Sequence, residues 1–127
     1  MYENLLPVGS VVLLKGANKR VVVIGRIQAR ADDRKVYHYC ACTYPEGLMD
    51  LDSFVFFDHD DIDRVYFIGY QDPEELQFRE EQLAPLGELY VNDEGAIVER
   101  EKTELVVSAT RVKSWWSSEA LSVTPST

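Results

Sequence analysis

Leu5-Leu6-Pro7-Val8-Gly9-Ser10-Val11-Val12-Leu13-Leu14-Lys15-Gly16, followed by Arg20-Val21-Val22-Val23-Ile24-Gly25-Arg26, decides the fold class. Both runs are rich in β-branched residues, and Gly16-Ala17-Asn18 between them tolerates positive φ, so residues 8–15 and 20–29 predict an antiparallel hairpin. A turn at Ala31-Asp32-Asp33-Arg34 leads to a third strand over 35–44, stopped by Pro45-Glu46-Gly47. Aromatic and β-branched content predicts a fourth strand over 53–57 and a fifth over 64–70. Alternation within these strands places Val12, Leu14, Val22, Ile24, Phe67 and Ile68 in the core.

The one strong helix signal is Asp72-Pro73-Glu74-Glu75, an N-cap acid followed by proline at the first helical position. Pro85 and Gly87 end it, so a short helix is expected over 73–84. Beyond it, 88–98 reads as a hairpin around Asn92-Asp93-Glu94-Gly95, and 103–112 as a further strand. Residues 117–127 carry Ser, Thr and little apolar content and are expected to form a disordered tail, leaving one β-rich domain over 1–116. The fold class is α+β and mostly β: a small, strongly bent antiparallel sheet, in the manner of an SH3-like barrel, with one short helix and a C-terminal β extension over 84–116.

The chain has 127 residues and a net charge of −9, unevenly placed. Residues 1–49 carry seven Lys/Arg against four Asp/Glu, 50–81 carry two against eleven, and 82–127 carry four against seven. The acidic middle disfavours nucleic acid and anionic membrane and favours a basic or mixed-charge protein partner. No apolar run approaches the roughly 20 residues of a membrane-spanning helix. Met1-Tyr2-Glu3-Asn4 lacks a basic region leading into an apolar one, so the cytosol is the expected compartment.

Few residues arrange themselves for chemistry. His38, Cys40 and Cys42 alternate along one strand, which spreads the outer two over about 13 Å, too far for one tetrahedral zinc. Cys40 and Cys42 are also poorly placed for a disulfide and read as reduced, packed thiols. Asp58, Asp60, Asp61 and Asp63 surround His59, but an EF-hand counted from Asp58 puts Ile62 at a ligand position and lacks the required glycine. No nucleophile elbow or phosphate loop is present. The sequence therefore predicts no enzyme, no cofactor and no metal. The candidate partner-binding residues are Asp58, Asp60, Asp61 and Asp63, on a turn where the Asp58 carboxylate is expected to accept backbone N–H groups, and the aromatic pair Trp115 and Trp116.

The opening run 4–16, with Val23-Ile24-Gly25-Arg26-Ile27-Gln28, Tyr44-Pro45-Glu46-Gly47 and the stretch Phe57-Asp58-His59-Asp60-Asp61-Ile62-Asp63-Arg64-Val65-Tyr66-Phe67-Ile68-Gly69-Tyr70, resembles a family of short, uncharacterised proteins of Gram-positive bacteria encoded beside LXG-type toxins of the type VII secretion system. The resemblance spans about residues 3–83. It implies a non-enzymatic, chaperone-like or targeting role in which the protein binds a secreted toxin's targeting region or its small helical partners. No catalytic residue comes with it. The alternative is an immunity protein that masks a toxin's active domain with its acidic surface.

Overall fold

The structure is a computed structural model that describes residues 1–100. The β-branched runs become strands β1 (Val11–Leu14), β2 (Arg20–Arg30) and β3 (Lys35–Thr43), and the aromatic runs become β4 (Val55–Phe57) and β5 (Ile62–Phe67). All five pair antiparallel in one sheet of order β4-β3-β2-β1-β5. A helix α1 (Pro73–Phe78) widens into a π turn over Arg79–Leu83. A separate hairpin follows, β6 (Leu89–Val91) with β7 (Ile97–Glu99). The expected strand over 103–112, the pair Trp115 and Trp116, and the tail over 117–127 lie outside the described residues.

β4 and β5 occupy opposite edges of the sheet, yet only residues 58–61 join them. A flat five-stranded sheet measures about 19 Å between its edge strands. The link is a 3₁₀ turn over His59–Asp61, and at about 2 Å of rise per residue it falls well short of that span. The sheet must therefore curl, in keeping with the small, bent antiparallel sheet that the sequence suggested.

One face of the curled sheet is covered. Val12, Val21, Val23, Tyr39, Ala41 and Phe57 point into the core and are closed over by Tyr2, Leu5, Leu83 and Leu86, with Phe78, Leu89 and Ile97 packed around them. The sequence placed Val22 and Ile24 there instead. The register explains the difference: Val12 stands opposite Val21, and Val11 opposite Val22. Paired residues share a face, so once Val12 points inward, Val21 and Val23 follow it and Val22 and Ile24 point outward. Val23 is fully buried, whereas Ile24 is 39% exposed. Leu14 and Val22 are half-buried, and Phe67 and Ile68 lie at the uncovered edge, 60% and 51% exposed. Of the six expected core residues, only Val12 is fully buried.

Alternation also breaks farther along β2. The register shifts between Val23 and Gly25, and Ile27 adopts a positive φ of 57°, a rare backbone state for a β-branched residue. The consecutive residues Arg26 and Ile27 are consequently both buried. Arg26 there meets Glu75 of α1 through two parallel hydrogen bonds, Nη1 to Oε2 at 3.0 Å and Nη2 to Oε1 at 2.9 Å. This fork fixes the helix to the sheet. The start of α1 follows the sequence signal, with Asp72 Oδ1 accepting the Glu75 N–H at 2.9 Å.

β5 is held against β1 by a close backbone approach. Gly69 N–H donates to Ser10 Oγ at 2.9 Å, and that buried hydroxyl donates to Pro7 O at 2.7 Å. A Cβ at Gly69 would stand 2.2 Å from Val8 O. Gly69→Ala is expected to force the two backbones apart and destabilise the protein by about 1–3 kcal/mol or more, read by denaturant unfolding. A change within about 0.5 kcal/mol would show that the approach is looser than described. In the same assay Val23→Ala should cost about 2 kcal/mol and Ile24→Ala clearly less, since only Val23 leaves a cavity. Equal losses would contradict the inward register.

Candidate partner-binding surface

The acidic turn is built from both neighbouring strands. β3 and β4 pair as far as Tyr39 opposite Phe57. Asp58 then extends the ladder with its side chain, Oδ1 accepting the His38 N–H at 3.1 Å. As expected, the Asp58 carboxylate takes part in a capping box with Asp61 in its own turn. It also reaches across to β3, where Lys35 Nζ approaches Oδ2 at 3.8 Å. The turn is closed from its other end, by Asp61 Oδ2 accepting the Asp58 N–H at 2.9 Å.

Two histidines and a tyrosine lie beneath these acids. His59 N–H donates to His38 Nδ1 at 2.9 Å, which requires that nitrogen to be unprotonated. Tyr39 Oη accepts the Leu6 N–H at 2.8 Å and lies 2.7 Å from His59 Nδ1. The Tyr39 hydroxyl thus hydrogen-bonds both Leu6 N–H and His59 Nδ1, and the turn is tied to the N-terminal segment through one buried side chain. Tyr39 also stacks on Phe57, and Tyr2 packs edge-on to His38. Burial pushes the Tyr39 hydroxyl up to about 12, so it stays a donor at neutral pH.

The four candidate aspartates therefore separate into two kinds. Asp58 and Asp61 build the turn. Asp60 and Asp63 are exposed, with no ion pair among the described residues, and project from a frame whose backbone is fixed on both sides. Among the described residues no three His, Cys, Asp or Glu side chains converge as a metal site. Cys40 and Cys42 are buried free thiols, and burial followed by the neighbouring Cys42 pushes Cys40 up to about 11.

A second surface was not anticipated. On the uncovered side of the sheet, Phe67, Val11, Val22 and Cys42 form one cross-strand row. Beside it, Arg64, Leu13 and Arg20 form another. The Arg20 guanidinium lies 5.1 Å from the Tyr44 ring centroid and 5.4 Å from that of Tyr66, and Arg64 lies 5.5 Å from Tyr66. Both arginines thus present apolar, aromatic-backed faces rather than hydrated ends. The signal was present in the sequence as Arg20 flanking a β-branched run and Arg64 preceding Val65-Tyr66-Phe67, but only the register shows that they share a face.

A groove of about 460 Å³ lined by Arg26, Tyr70, Asp72, Glu74, Glu75 and Phe78 opens beside α1. Its central charges are committed to structure, Glu75 to Arg26 and Asp72 to the helix cap. It offers no nucleophile paired with a base.

Residues 5–78 match a family described as a domain of unknown function, DUF4176. The matched stretch contains the whole five-stranded sheet, the acidic turn and α1, and stops before the β6–β7 hairpin. No curated protein and no solved structure matches the chain.

The histidine arrangement sets a pH dependence. Burial lowers His38 below the ordinary histidine value; the charge of His59 acts the same way, and Asp58, Asp60 and Asp61 oppose it. Just below the unfolded value of about 6.5 the unfolded chain then binds more protons than the folded one, so the stability linked to His38 is present above that pH and lost as pH falls toward the lowered folded value. Thermal unfolding between about pH 7 and 5 should show a falling Tm. His38→Gln, whose amide oxygen can accept the His59 N–H without titrating, should flatten the slope. An unchanged slope would assign the dependence to other groups.

Proposed function

The chain belongs to the DUF4176 family, and we propose that it is a non-enzymatic accessory protein that binds another protein through its acidic turn. The observation that carries the reading is the pairing of a fixed backbone with free charge at residues 58–63. Asp58 and Asp61 hold the turn to β3 and to itself, while Asp60 and Asp63 stand exposed without ion-pair partners among the described residues. A rigid acidic projection of this kind costs little ordering on binding and steers a basic partner into place. The partner that the sequence resemblance implies is the targeting region of an LXG toxin exported by the type VII system, or the small helical proteins that accompany it. The role is chaperone-like or targeting, carried out in the cytosol before export. In the groove beside α1, Glu75 and Asp72 are engaged by Arg26 and the helix N-terminus.

The test follows from the separation of the acids. Asp61 frames the turn, so the charge reversal is best made at Asp60 and Asp63. Asp60→Lys with Asp63→Lys is expected to leave circular dichroism and Tm close to wild type, to slow association with the toxin's N-terminal targeting region severalfold at low salt, and to flatten the dependence of the rate on salt. Wild-type association rates at both salt levels in a folded variant would place the interface elsewhere. Binding to the C-terminal toxic domain, and not to the targeting region, would replace the adaptor reading with the immunity one.

A further inference from the structure

One stretch of the chain is exposed on both sides at once. Successive residues of a strand point to opposite faces, yet Val65, Tyr66, Phe67 and Ile68 are 42%, 47%, 60% and 51% exposed, and Tyr70 follows at 79%. From Val65 onward, then, the described residues cover neither face of β5. The strand is also the last of its sheet, with β1 as its one strand neighbour among the described residues. Val8, itself exposed, extends the ridge, because its carbonyl lies against Gly69. Single exposed apolar side chains are ordinary; a continuous apolar ridge along a sheet edge marks a contact surface. The charge pattern singles out the same stretch. Residues 50–81 hold thirteen charged side chains, and 65–71 is the longest run in that segment that holds none.

We infer that the occupant of this ridge is a second copy of the chain, packed about a two-fold axis that passes near Tyr66 and Phe67. Arg64 closes the uncharged run at one end and Asp72 at the other. A two-fold axis therefore sets the run against its own image and puts each Arg64 at the end where the other copy has Asp72, with no like charges facing along its length. A strongly charged partner finds nothing to pair with on such a ridge, whereas a second copy matches it in length and polarity. The contact is made by side chains. The register of β5 against β1 shifts twice, and bulges of this kind twist an edge away from a continuous intermolecular ladder. Area sets the strength. At about 150–250 Å² for a fully covered aromatic side chain, Tyr66, Phe67 and Tyr70 at their observed exposures offer roughly 400 Å², and Val65 and Ile68 bring the ridge to about 500 Å² per copy. Two copies then bury about 1,000 Å², at the low end of specific interfaces, which makes the dimer weak and concentration-dependent. The inference does not depend on the toxin-binding reading, which uses the acidic turn.

The test needs this protein alone, so its outcome is separate from that of the toxin-binding experiment. Sedimentation equilibrium of the full chain over about 1–200 μM should show a monomer–dimer transition, with half-association on the order of tens of micromolar for an interface this small. Phe67→Lys combined with Ile68→Lys changes two exposed positions and should weaken association by about tenfold or more while circular dichroism and Tm stay close to wild type. Leu51→Lys, exposed and outside the ridge, should leave association unchanged. Raising the salt should not dissolve the dimer, because the contact is uncharged and two copies of net charge −9 repel each other less when screened. Proximity to the axis is read independently of these variants. Cys40 and Cys42 are the only cysteines and both are buried, so Phe67→Cys supplies the one exposed thiol and should form an intermolecular disulfide under mild oxidation severalfold faster than Leu51→Cys. Four outcomes overturn the inference: a monomer throughout the concentration range, which would leave the ridge to a different protein; wild-type association of the folded double variant; a dimer that dissociates as salt rises; or equal cross-linking at positions 67 and 51.

Discussion

The contact on which the rest of the structure depends is the approach of Gly69 to the backbone of Val8 and Gly9, with the buried Ser10 hydroxyl between the two segments. It sets β5 beside β1 rather than beside β4, from which β5 is separated by only a 3₁₀ turn. Once β5 lies on the far edge with so short a link, the sheet has to curl, and curling divides it into an enclosed face and an outer one. Only glycine permits the approach, since any Cβ at position 69 would overlap a carbonyl oxygen. The hydroxyl matters for a separate reason: it satisfies the Gly69 N–H in a place water cannot reach, where an unpaired donor would cost about 1–3 kcal/mol.

The same curl brings the turn over His59–Asp61 onto the end of the core. Tyr39 is the link, because its ring belongs to the core while its hydroxyl serves both Leu6 and His59. The acidic turn is therefore not a loop that happens to be charged. Its backbone is fixed by a buried tyrosine, a histidine ring and two carboxylates, which leaves Asp60 and Asp63 exposed to solvent. The Arg26–Glu75 fork, at the position of β2 that stands opposite Tyr39, performs the equivalent service by seating α1, and with it Leu83, on the enclosed face.

Local chemistry was easy to read in this sequence; facing was not. Asp72-Pro73 announced the helix start, and the turn residues after Lys15 and around Asn92 announced both hairpins. The run Val21-Val22-Val23-Ile24, in contrast, has no polar residue to mark a side, so its parity is set only by pairing with Val12. Nothing in the sequence around Arg26 signals a carboxylate arriving from Glu75, far along the chain. Phe67 and Ile68 looked like core because aromatic and β-branched residues usually are, yet β5 is an edge strand with no described residue across it. For the acidic site the sequence located the turn and its four aspartates. It could not separate Asp58 and Asp61 from Asp60 and Asp63, because the distinction rests on hydrogen bonds to His38 and within the turn.

The outcome is a domain with two surfaces of opposite character. The turn carries exposed carboxylates on a hydrogen-bonded backbone, so a contact made there would be electrostatic, act mainly on encounter and weaken as salt rises. The outer face of the sheet carries rings, aliphatic side chains and stacked guanidinium groups, so contacts made there depend on apolar burial and respond little to salt. The net charge of −9 conceals this division, since the arginines of the outer face fall within the basic first part of the chain or, as Arg64 does, in the middle of its most acidic part. A partner that recognises the turn therefore need not compete with whatever covers the sheet.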